Sequence, residues 1–273
     1  MSGSFGKEDA PIGIFDSGMG GLTVMRALMA RLPNERFVYL GDTARLPYGT
    51  KSADTVSRYA VQAAGHLVRR GIKLLVVACN TASGVALPAL EKAFAPLPVV
   101  DVIGPGADAA LAASPKGPIA VIATEGTVKA GAYPRAIQAR APDVEVMSQA
   151  CPLFVPLAEE GLIDGVIAEL VAHRYLDPVL AQKPEALVLG CTHYPALKGT
   201  IGKIAGPGVA LVDSAEIAAR TVAKRLADDG LLRGGTAPPG HAFLATDAAE
   251  RFARVGEIFL GIKPDAVELV DLQ

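Results

Sequence analysis

The sequence predicts an α/β fold with two pseudo-symmetric α/β domains, whose mainly parallel sheets face each other across a cleft. Three observations support this prediction. Short β-branched runs alternate with longer segments of helical period. The chain has 273 residues, of which 51% are hydrophobic, so it is long enough for two ordinary domains. Two of the apolar runs end in the same way, with a cysteine followed by polar residues.

Six short apolar runs indicate buried parallel strands, since their composition is nearly continuous in Val, Ile, Leu and Ala. They lie at 11–16, 36–42, 73–79, 119–124, 186–191 and 209–214. Apolar residues at helical spacing predict helices at 22–32, 52–70 and 215–229. A further patterned segment, without an assigned type of element, covers 242–261. The stretch 230–240 carries paired glycines and prolines, which predict a loop.

The composition excludes several classes of protein. Lys and Arg number 26 against 28 Asp and Glu, a net charge of −2 that gives no general reason to bind nucleic acid or anionic membranes. No apolar run approaches the roughly 18 residues of a membrane span, and the first residues lack the apolar segment of a signal peptide. We therefore expect a cytoplasmic protein. Its three cysteines are too few for a disulfide framework and predict free thiols.

The chain contains a weak internal repeat. Residues 75–81 (LVVACNT) align position for position with 187–193 (LVLGCTH), and 12–17 align with 119–124 at a similar distance upstream. Open α/β sheets bind ligands at the carboxyl ends of their strands. Two related halves would therefore bring one thiol each, Cys79 and Cys191, to opposite sides of a shared cleft.

A glycine-rich turn at 16–21 (DSGMGG) follows the first strand and opens a helix, an arrangement that favours an anion. Its spacing matches neither the dinucleotide fingerprint nor a Walker loop. A purely structural turn is an equal alternative. A second turn, 45–49 (RLPYG), would suit a small polar ligand through Tyr48 and Gly49, although an ordinary turn is the simpler interpretation.

A lone cysteine after a buried strand is usually a small core residue. Two in repeat-related positions, each followed by hydrogen-bonding side chains, favour chemistry instead. Cys-x-His offers too few ligands for a typical metal site, and the chain has no C-x-x-C for disulfide exchange. The polar residues near the two thiols that suit a small amino acid are Asp16, Ser17, Asn80, Thr81, Thr124, Thr192 and His193.

Inversion of a carbon centre needs a base on one face and an acid on the other, which two opposed thiols supply. The residues alone thus indicate a cofactor-independent isomerase of a small polar acid, without metal. A non-catalytic amino-acid-binding module remains the alternative. Cys151, in an apolar context, is expected to be structural. Glu159 and Glu160 by themselves indicate a solvated helix start.

Seven segments resemble the bacterial glutamate racemase family, within the cofactor-independent aspartate/glutamate racemases. They are 14–24, 40–49, 78–83, 126–133, 151–161, 189–195 and 252–261, in the family's order. The resemblance implies interconversion of L- and D-glutamate without pyridoxal phosphate or metal, to supply peptidoglycan synthesis. It also implies a homodimer with a small-molecule substrate and no nucleic-acid or membrane partner. Aspartate or another amino acid is the alternative substrate within the superfamily.

The resemblance also assigns roles to individual residues. It implies that Cys79 and Cys191 transfer protons, and that Asp16 and His193 assist them. Asp42 and Glu159 match two further acidic positions around the site. Substrate contacts would fall on Asp16, Ser17, Tyr48, Gly49, Asn80, Thr81, Thr124, Thr192 and His193.

The resemblance finally implies a division into domains. A discontinuous first domain, 1–101 with 212–273, would carry Cys79, and a second, 102–211, would carry Cys191. One departure from the family pattern is that 245–249 lacks the usual glycine before the last helix.

Overall fold

Ten strands form two fully parallel sheets in a computed structural model that describes residues 7–235 and 240–272. The strands are β1 (Ile12–Asp16), β2 (Phe37–Gly41), β3 (Leu74–Val77), β4 (Val99–Asp101), β5 (Ile119–Ala123), β6 (Val146–Ala150), β7 (Ala186–Gly190), β8 (Ala210–Asp213), β9 (Ala242–Ala245) and β10 (Val267–Leu269). One sheet has the order β10-β9-β2-β1-β3-β4 and the other the order β6-β5-β7-β8. Helices join the strands, as parallel pairing requires.

The α-helices are α1 (Leu22–Arg31), α2 (Ala53–Arg69), α3 (Asn80–Phe94), α4 (Ile103–Ala113), α5 (Glu125–Ala130), α6 (Ala132–Gln138), α7 (Phe154–Glu159), α8 (Gly165–Leu180), α9 (Lys198–Ala205), α10 (Ser214–Asp228) and α11 (Ala249–Leu260). Short 3-10 turns occur at Thr43–Arg45, Tyr48–Thr50 and Tyr194–Leu197. Within the described parts of the chain, no helix has both the length and the apolar character needed to cross a bilayer.

The central strands are buried along their whole length because helices cover both faces of each sheet. Every residue of β1, β2, β3, β5 and β7 is buried. Helix α2 turns its apolar stripe, which includes Val56, Ala60 and Leu67, toward the six-stranded sheet. Its first turn is capped by Ser52, whose Oγ accepts a hydrogen bond of 3.3 Å from the Thr55 amide.

The predicted α/β class with two parallel sheets is confirmed. The predicted strands and helices are present, with ends that differ by a few residues. Four further strands, β4, β6, β9 and β10, were not predicted as strands, since they are short or only partly buried. The predicted loop has neither helix nor strand over 230–235, and 236–239 lie outside the described residues. The domain boundaries stay a prediction.

The topology aligns the two repeat units. β1 pairs in parallel with β3, and β5 pairs in parallel with β7. Parallel neighbours end at the same edge of a sheet, so the residues that follow β1 and β3 are close, as are those after β5 and β7. The candidate residues that follow these four strands therefore lie at the carboxyl ends of the two sheets.

Candidate active site

A cavity of about 160 Å³ lies where the residues that follow the central strands of the two sheets meet. This volume is well below the roughly 300–1,000 Å³ typical of sites for drug-sized ligands, so it suits a small molecule. The predicted site residues that line it are Ser17, Tyr48, Gly49, Cys79, Asn80, Thr81, Thr124, Glu159, Cys191, Thr192 and His193. The remaining lining residues are Gly18, Leu46, Pro47, Val155 and Pro156.

Cys79 follows β3 and caps the amino end of α3. Its Sγ accepts a hydrogen bond of 3.5 Å from the Ala82 amide and lies 3.5 Å from the Ser17 Oγ. The side chain is buried, with 5% of the residue exposed. Burial, together with the nearby Asp16 carboxyl, raises the pKa of Cys79 to about 12. The group therefore rests as a thiol at neutral pH.

Cys191 follows β7 and has a different set of neighbours. Its Sγ lies 3.8 Å from Nδ1 of His193, and Nε2 of that ring lies 3.0 Å from Oε1 of Glu159. Cys191 and His193 are both buried. The two thiols thus come from different sheets to one cavity, and among the residues that the structure describes an imidazole lies beside Cys191 but not beside Cys79.

The His193 ring is held as a cation. Burial alone would lower its pKa, but its hydrogen bonds with Cys191 and Glu159 raise the pKa to about 10. Burial opposes ionisation of Glu159 too. The hydrogen bonds from His193 and Arg251 outweigh that cost and lower the Glu159 pKa. An imidazolium and a carboxylate are therefore paired at neutral pH.

This pairing predicts a pH-dependent contribution to stability. The His193 pKa is raised, so its contribution is complete below about pH 6.5 and disappears as the pH rises through about 10. The contribution of Glu159, whose pKa is lowered, is lost in acid. We expect Glu159→Gln to lower the free energy of unfolding more at about pH 6 than at about pH 10.

The measurement is urea unfolding of both proteins at the two pH values, with an NMR titration of the His193 ring. The ring should titrate near pH 10 in the unsubstituted protein and at lower pH in Glu159→Gln. An equal loss of stability at both pH values would contradict the ion pair.

Gly20 has no side chain, and the His193 ring lies where a side chain at this position would be. A Cβ at Gly20 would lie 2.5 Å from Thr192 Oγ1 and still closer to His193 Nδ1. Gly20→Ala should therefore displace the imidazole from Cys191. His193 is predicted to assist catalysis, and a shift of about 1 Å in such a group can cost about 10²-fold, so we expect a loss of that order in kcat/KM.

Gly199→Ala is the matched control for Gly20→Ala. A Cβ at Gly199 meets no atom within 4 Å, and alanine favours the α9 helix in which it lies. This variant should keep full activity and unfold at slightly higher urea. Equal activity of both variants in a steady-state assay would refute the close fit around His193.

Two predicted acidic residues lie behind the cavity wall. Asp16 is fully buried, and its Oδ2 accepts a hydrogen bond of 3.0 Å from the Gly18 amide. Its Oδ1 is buried and has no hydrogen-bond partner within 7–235 and 240–272. Asp42 is fully buried too. It accepts hydrogen bonds from Tyr48 Oη and from Arg45 Nε, the latter at 2.7 Å. It also accepts one of 3.0 Å from Thr246 Oγ1, and of the three described donors to Asp42, Tyr48 is the one that lines the cavity.

Hydroxyl groups join the two halves of the cavity wall. Thr81 Oγ1, on α3, lies 3.0 Å from Thr124 Oγ1 and 3.1 Å from Thr127 Oγ1 on α5. Beside them, the Asn80 Oδ1 accepts a hydrogen bond of 2.8 Å from Tyr133 Oη. The Asn80 Nδ2 is buried and unpartnered among the described residues, so this amide keeps a donor free for a ligand.

The prediction from the sequence did not include the apolar lining or Arg251. Leu46, Pro47, Val155 and Pro156 have apolar side chains and no acid or base group, although they lie in the family-like segments 40–49 and 151–161. Arg251 contacts Glu159 from a helix far along the chain, and no local pattern could have indicated it. Cys151 is fully buried and is not among the residues that line the cavity. In the described part of the chain, no group of three or more His, Cys, Asp or Glu side chains could hold a metal ion.

Known proteins resemble this chain over nearly all its length. Residues 17–222 match the family model described as Asp/Glu/Hydantoin racemase. A glutamate racemase from Geobacter metallireducens is 52% identical over 262 residues, which cover 96% of this chain and 97% of that protein. One from Neisseria meningitidis is 47% identical with the same coverage.

Solved structures show the same similarity in three dimensions. The glutamate racemase of Francisella tularensis in complex with D-glutamate has a TM-score of 0.91 at 40% identity, covering 97% of this chain and 98% of that one. That of Thermus thermophilus in complex with beta-chloro-D-alanine has a TM-score of 0.88 at 47% identity and the same coverage. With two thiols at one cavity and similarity along nearly all of the chain, this protein belongs to the Asp/Glu/Hydantoin racemase family and, within it, to the glutamate racemases.

Proposed function

We propose that this protein interconverts L- and D-glutamate by moving the Cα proton between two thiols. The observation that carries the proposal is that Cys79 and Cys191, each at the end of a strand of a different sheet, line the same small cavity. A substrate bound between them presents one face of Cα to each thiol. The chain's own side chains then supply both the base and the acid, so we propose no cofactor.

In the proposed mechanism, one cysteine acts as thiolate and takes the proton from Cα, leaving a planar carbanion. The other acts as thiol and delivers a proton to the opposite face, which inverts the centre. The two cysteines have then exchanged protonation states, and the reverse reaction uses them in the opposite roles. Each enantiomer is thus handled by the same pair of groups.

The neighbours of the thiols support different auxiliary roles. His193 is a cation paired with Glu159, and its other ring nitrogen lies beside Cys191. It is therefore placed to exchange a proton with the Cys191 thiol. Asp16 lies behind Cys79, and burial raises its pKa, which brings this carboxyl closer to accepting a proton near neutrality. We propose that these two groups restore the protonation states of the thiols between turnovers.

Substrate binding is proposed to use backbone amides and neutral polar side chains. The amino ends of α3 and α5 are at the cavity wall, where helix dipoles favour carboxylates. The free Nδ2 of Asn80 and the hydroxyls of Ser17, Thr81, Thr124 and Thr192 add hydrogen bonds, and Tyr48 and Gly49 close one side. Glutamate, with two carboxylates, suits this set of donors.

We further propose that the product D-glutamate serves peptidoglycan synthesis in the cytoplasm, and that the protein acts as a homodimer. The similarity to glutamate racemases over the whole chain supports these proposals. We also propose a first domain of 1–101 with 212–273 and a second of 102–211. The distribution of most strands between the two sheets supports this division.

Solvent deuterium provides the decisive test of the racemase proposal. Purified protein, stripped of metals and without added cofactor, is incubated with L-glutamate in D₂O, and both enantiomers are followed by NMR and chiral chromatography. We expect D-glutamate with one deuterium at Cα. Aspartate in a parallel reaction should react much more slowly, which separates the aspartate alternative. L-glutamate that stays free of deuterium, with no D-isomer, would refute the proposal and favour a binding module.

A further inference from the structure

Arg251 connects the last helix to the acid/base groups around Cys191. It lies on α11, which follows β9 of the six-stranded sheet, whereas Glu159 ends α7, which follows β6 of the four-stranded sheet. The Arg251 Nη2 donates a hydrogen bond of 2.8 Å to Oε2 of Glu159. The contact therefore joins elements of two different sheets.

Both oxygens of the Glu159 carboxylate have a partner. Oε2 binds Arg251, and Oε1 lies 3.0 Å from Nε2 of His193, whose Nδ1 faces Cys191. A carboxylate held at both oxygens cannot rotate without breaking a charge-assisted hydrogen bond. The orientation of the imidazole therefore depends on Arg251 through Glu159.

Helix α11 also holds the His193 ring directly. Phe259, two turns after Arg251, packs edge-on against the imidazole with ring centroids 5.1 Å apart and an interplanar angle of 77°. One helix thus contacts the imidazole and the carboxylate that orients it. Phe259 is fully buried, whereas the Arg251 side chain is 44% exposed, so Arg251 can be replaced without opening the core.

We propose that Arg251 is a positioning residue for the reaction: by holding Oε2 of Glu159, it keeps His193 aligned with Cys191. The expected effect on kcat rests on the proposed racemase function. The expected effect on the position of the His193 ring does not. Arg251 itself does not line the cavity.

Several charged or titratable groups surround this chain of contacts. Arg251 Nη2 lies 3.7 Å from Oε1 of Glu160, a second and more exposed carboxylate. His193 faces Glu159 and Cys191, and the Asp16 carboxyl acts on it from the carboxyl end of β1. Of these groups, Arg251 is the cation that stabilises ionised Glu159 from outside the cavity. Its removal should therefore raise the Glu159 pKa.

The test compares Arg251→Gln, Arg251→Lys and the control Arg254→Gln, an exposed arginine one turn along α11. We expect Arg251→Gln to lower kcat about tenfold, as loss of a charge-assisted hydrogen bond in the catalytic assembly would do, with little change in KM. The acidic limb of its pH–kcat profile should move to higher pH. Arg251→Lys should restore most of kcat and the limb, and Arg254→Gln should match the unsubstituted protein.

NMR of the His193 ring separates this inference from the racemase proposal. In Arg251→Gln we expect altered ring shifts and a changed titration midpoint, whether or not glutamate reacts. If the unsubstituted protein is inactive but the ring shifts change, the racemase proposal fails and the positioning contact stands. The positioning role would be overturned if Arg251→Gln lowered kcat equally at every pH and left the NMR shifts of the His193 ring unchanged. It would also be overturned if Arg251→Gln had the kcat of the unsubstituted protein.

Discussion

Replacing either Cys79 or Cys191 by serine should reduce racemisation by about 10²–10⁴-fold, the range that a positioned acid or base contributes to catalysis. A hydroxyl is nearly isosteric with a thiol, so the cavity keeps its shape. It is, however, far less acidic than a thiol and does not form the anion needed at neutral pH. The measurement is kcat/KM in both directions, with circular dichroism to check that the variants are folded.

Deuterium exchange at Cα tests which face of the substrate each cysteine serves. Each single variant keeps one functional thiol and so can exchange the Cα proton on one face only. We therefore expect each variant to introduce solvent deuterium into one enantiomer without inversion, and the two variants to select opposite enantiomers.

Cys151→Ala is the control for the two cysteine variants. Cys151 is buried outside the cavity lining, so its replacement should cost some stability but leave kcat/KM within a few-fold of the original. If both serine variants kept turnover near that of the unsubstituted protein, the two-thiol mechanism would be wrong. A binding module would instead keep its affinity for glutamate in all three variants.

Lys73→Met should destabilise the fold by about 3–5 kcal/mol, the usual cost of leaving one partner of a buried ion pair alone. Lys73 Nζ lies 2.6 Å from Glu35 Oε2, and both side chains are only 2% exposed. The same ammonium donates to the carbonyl oxygens of Glu8 at 2.7 Å and Leu231 at 2.8 Å. The Lys73 ammonium thus links three separate segments of the chain near the amino end of β3.

A double substitution and an exposed ion pair are the controls for Lys73→Met. Adding Glu35→Gln removes the unpaired charge and should recover a large part of the stability. Lys203→Met breaks a pair of the same length, 2.6 Å to Glu169 Oε1, but with side chains 68% and 36% exposed. It should cost less than about 1 kcal/mol.

Urea unfolding gives the free energies, and the activity of the folded fraction should not change, because Lys73 lies at the opposite end of β3 from Cys79. Equal costs for Lys73→Met and Lys203→Met would contradict the assigned difference in burial.

Much of the fold could be predicted because its main signals are local. Buried parallel strands such as β3 and β7 are continuous apolar runs, and α2 has an apolar stripe with a serine cap. The short edge strand β4 and the partly exposed β6 lack such a signal, since their stability comes from pairing with a neighbour. Their existence depends on the sheet and not on their own residues.

The order of residues was enough to predict the groups that line the cavity: two repeat-related thiols after buried strands, and polar residues that follow them along the chain. A strand that is apolar along its length must be buried, and its polar successor must then lie at the sheet edge. These relations involve residues that are near in sequence, so they can be derived from the order of residues alone.

Which groups surround each thiol follows from the three-dimensional structure and not from the order of residues. Cys79 lies close to Asp16 and Ser17, whereas Cys191 lies beside His193. Glu159 contacts the His193 ring and is itself bound by Arg251. Residues 159, 193 and 251 come from three distant parts of the chain. Their hydrogen bonds depend on how the helices of the two sheets pack, and no local pattern of residues encodes that packing.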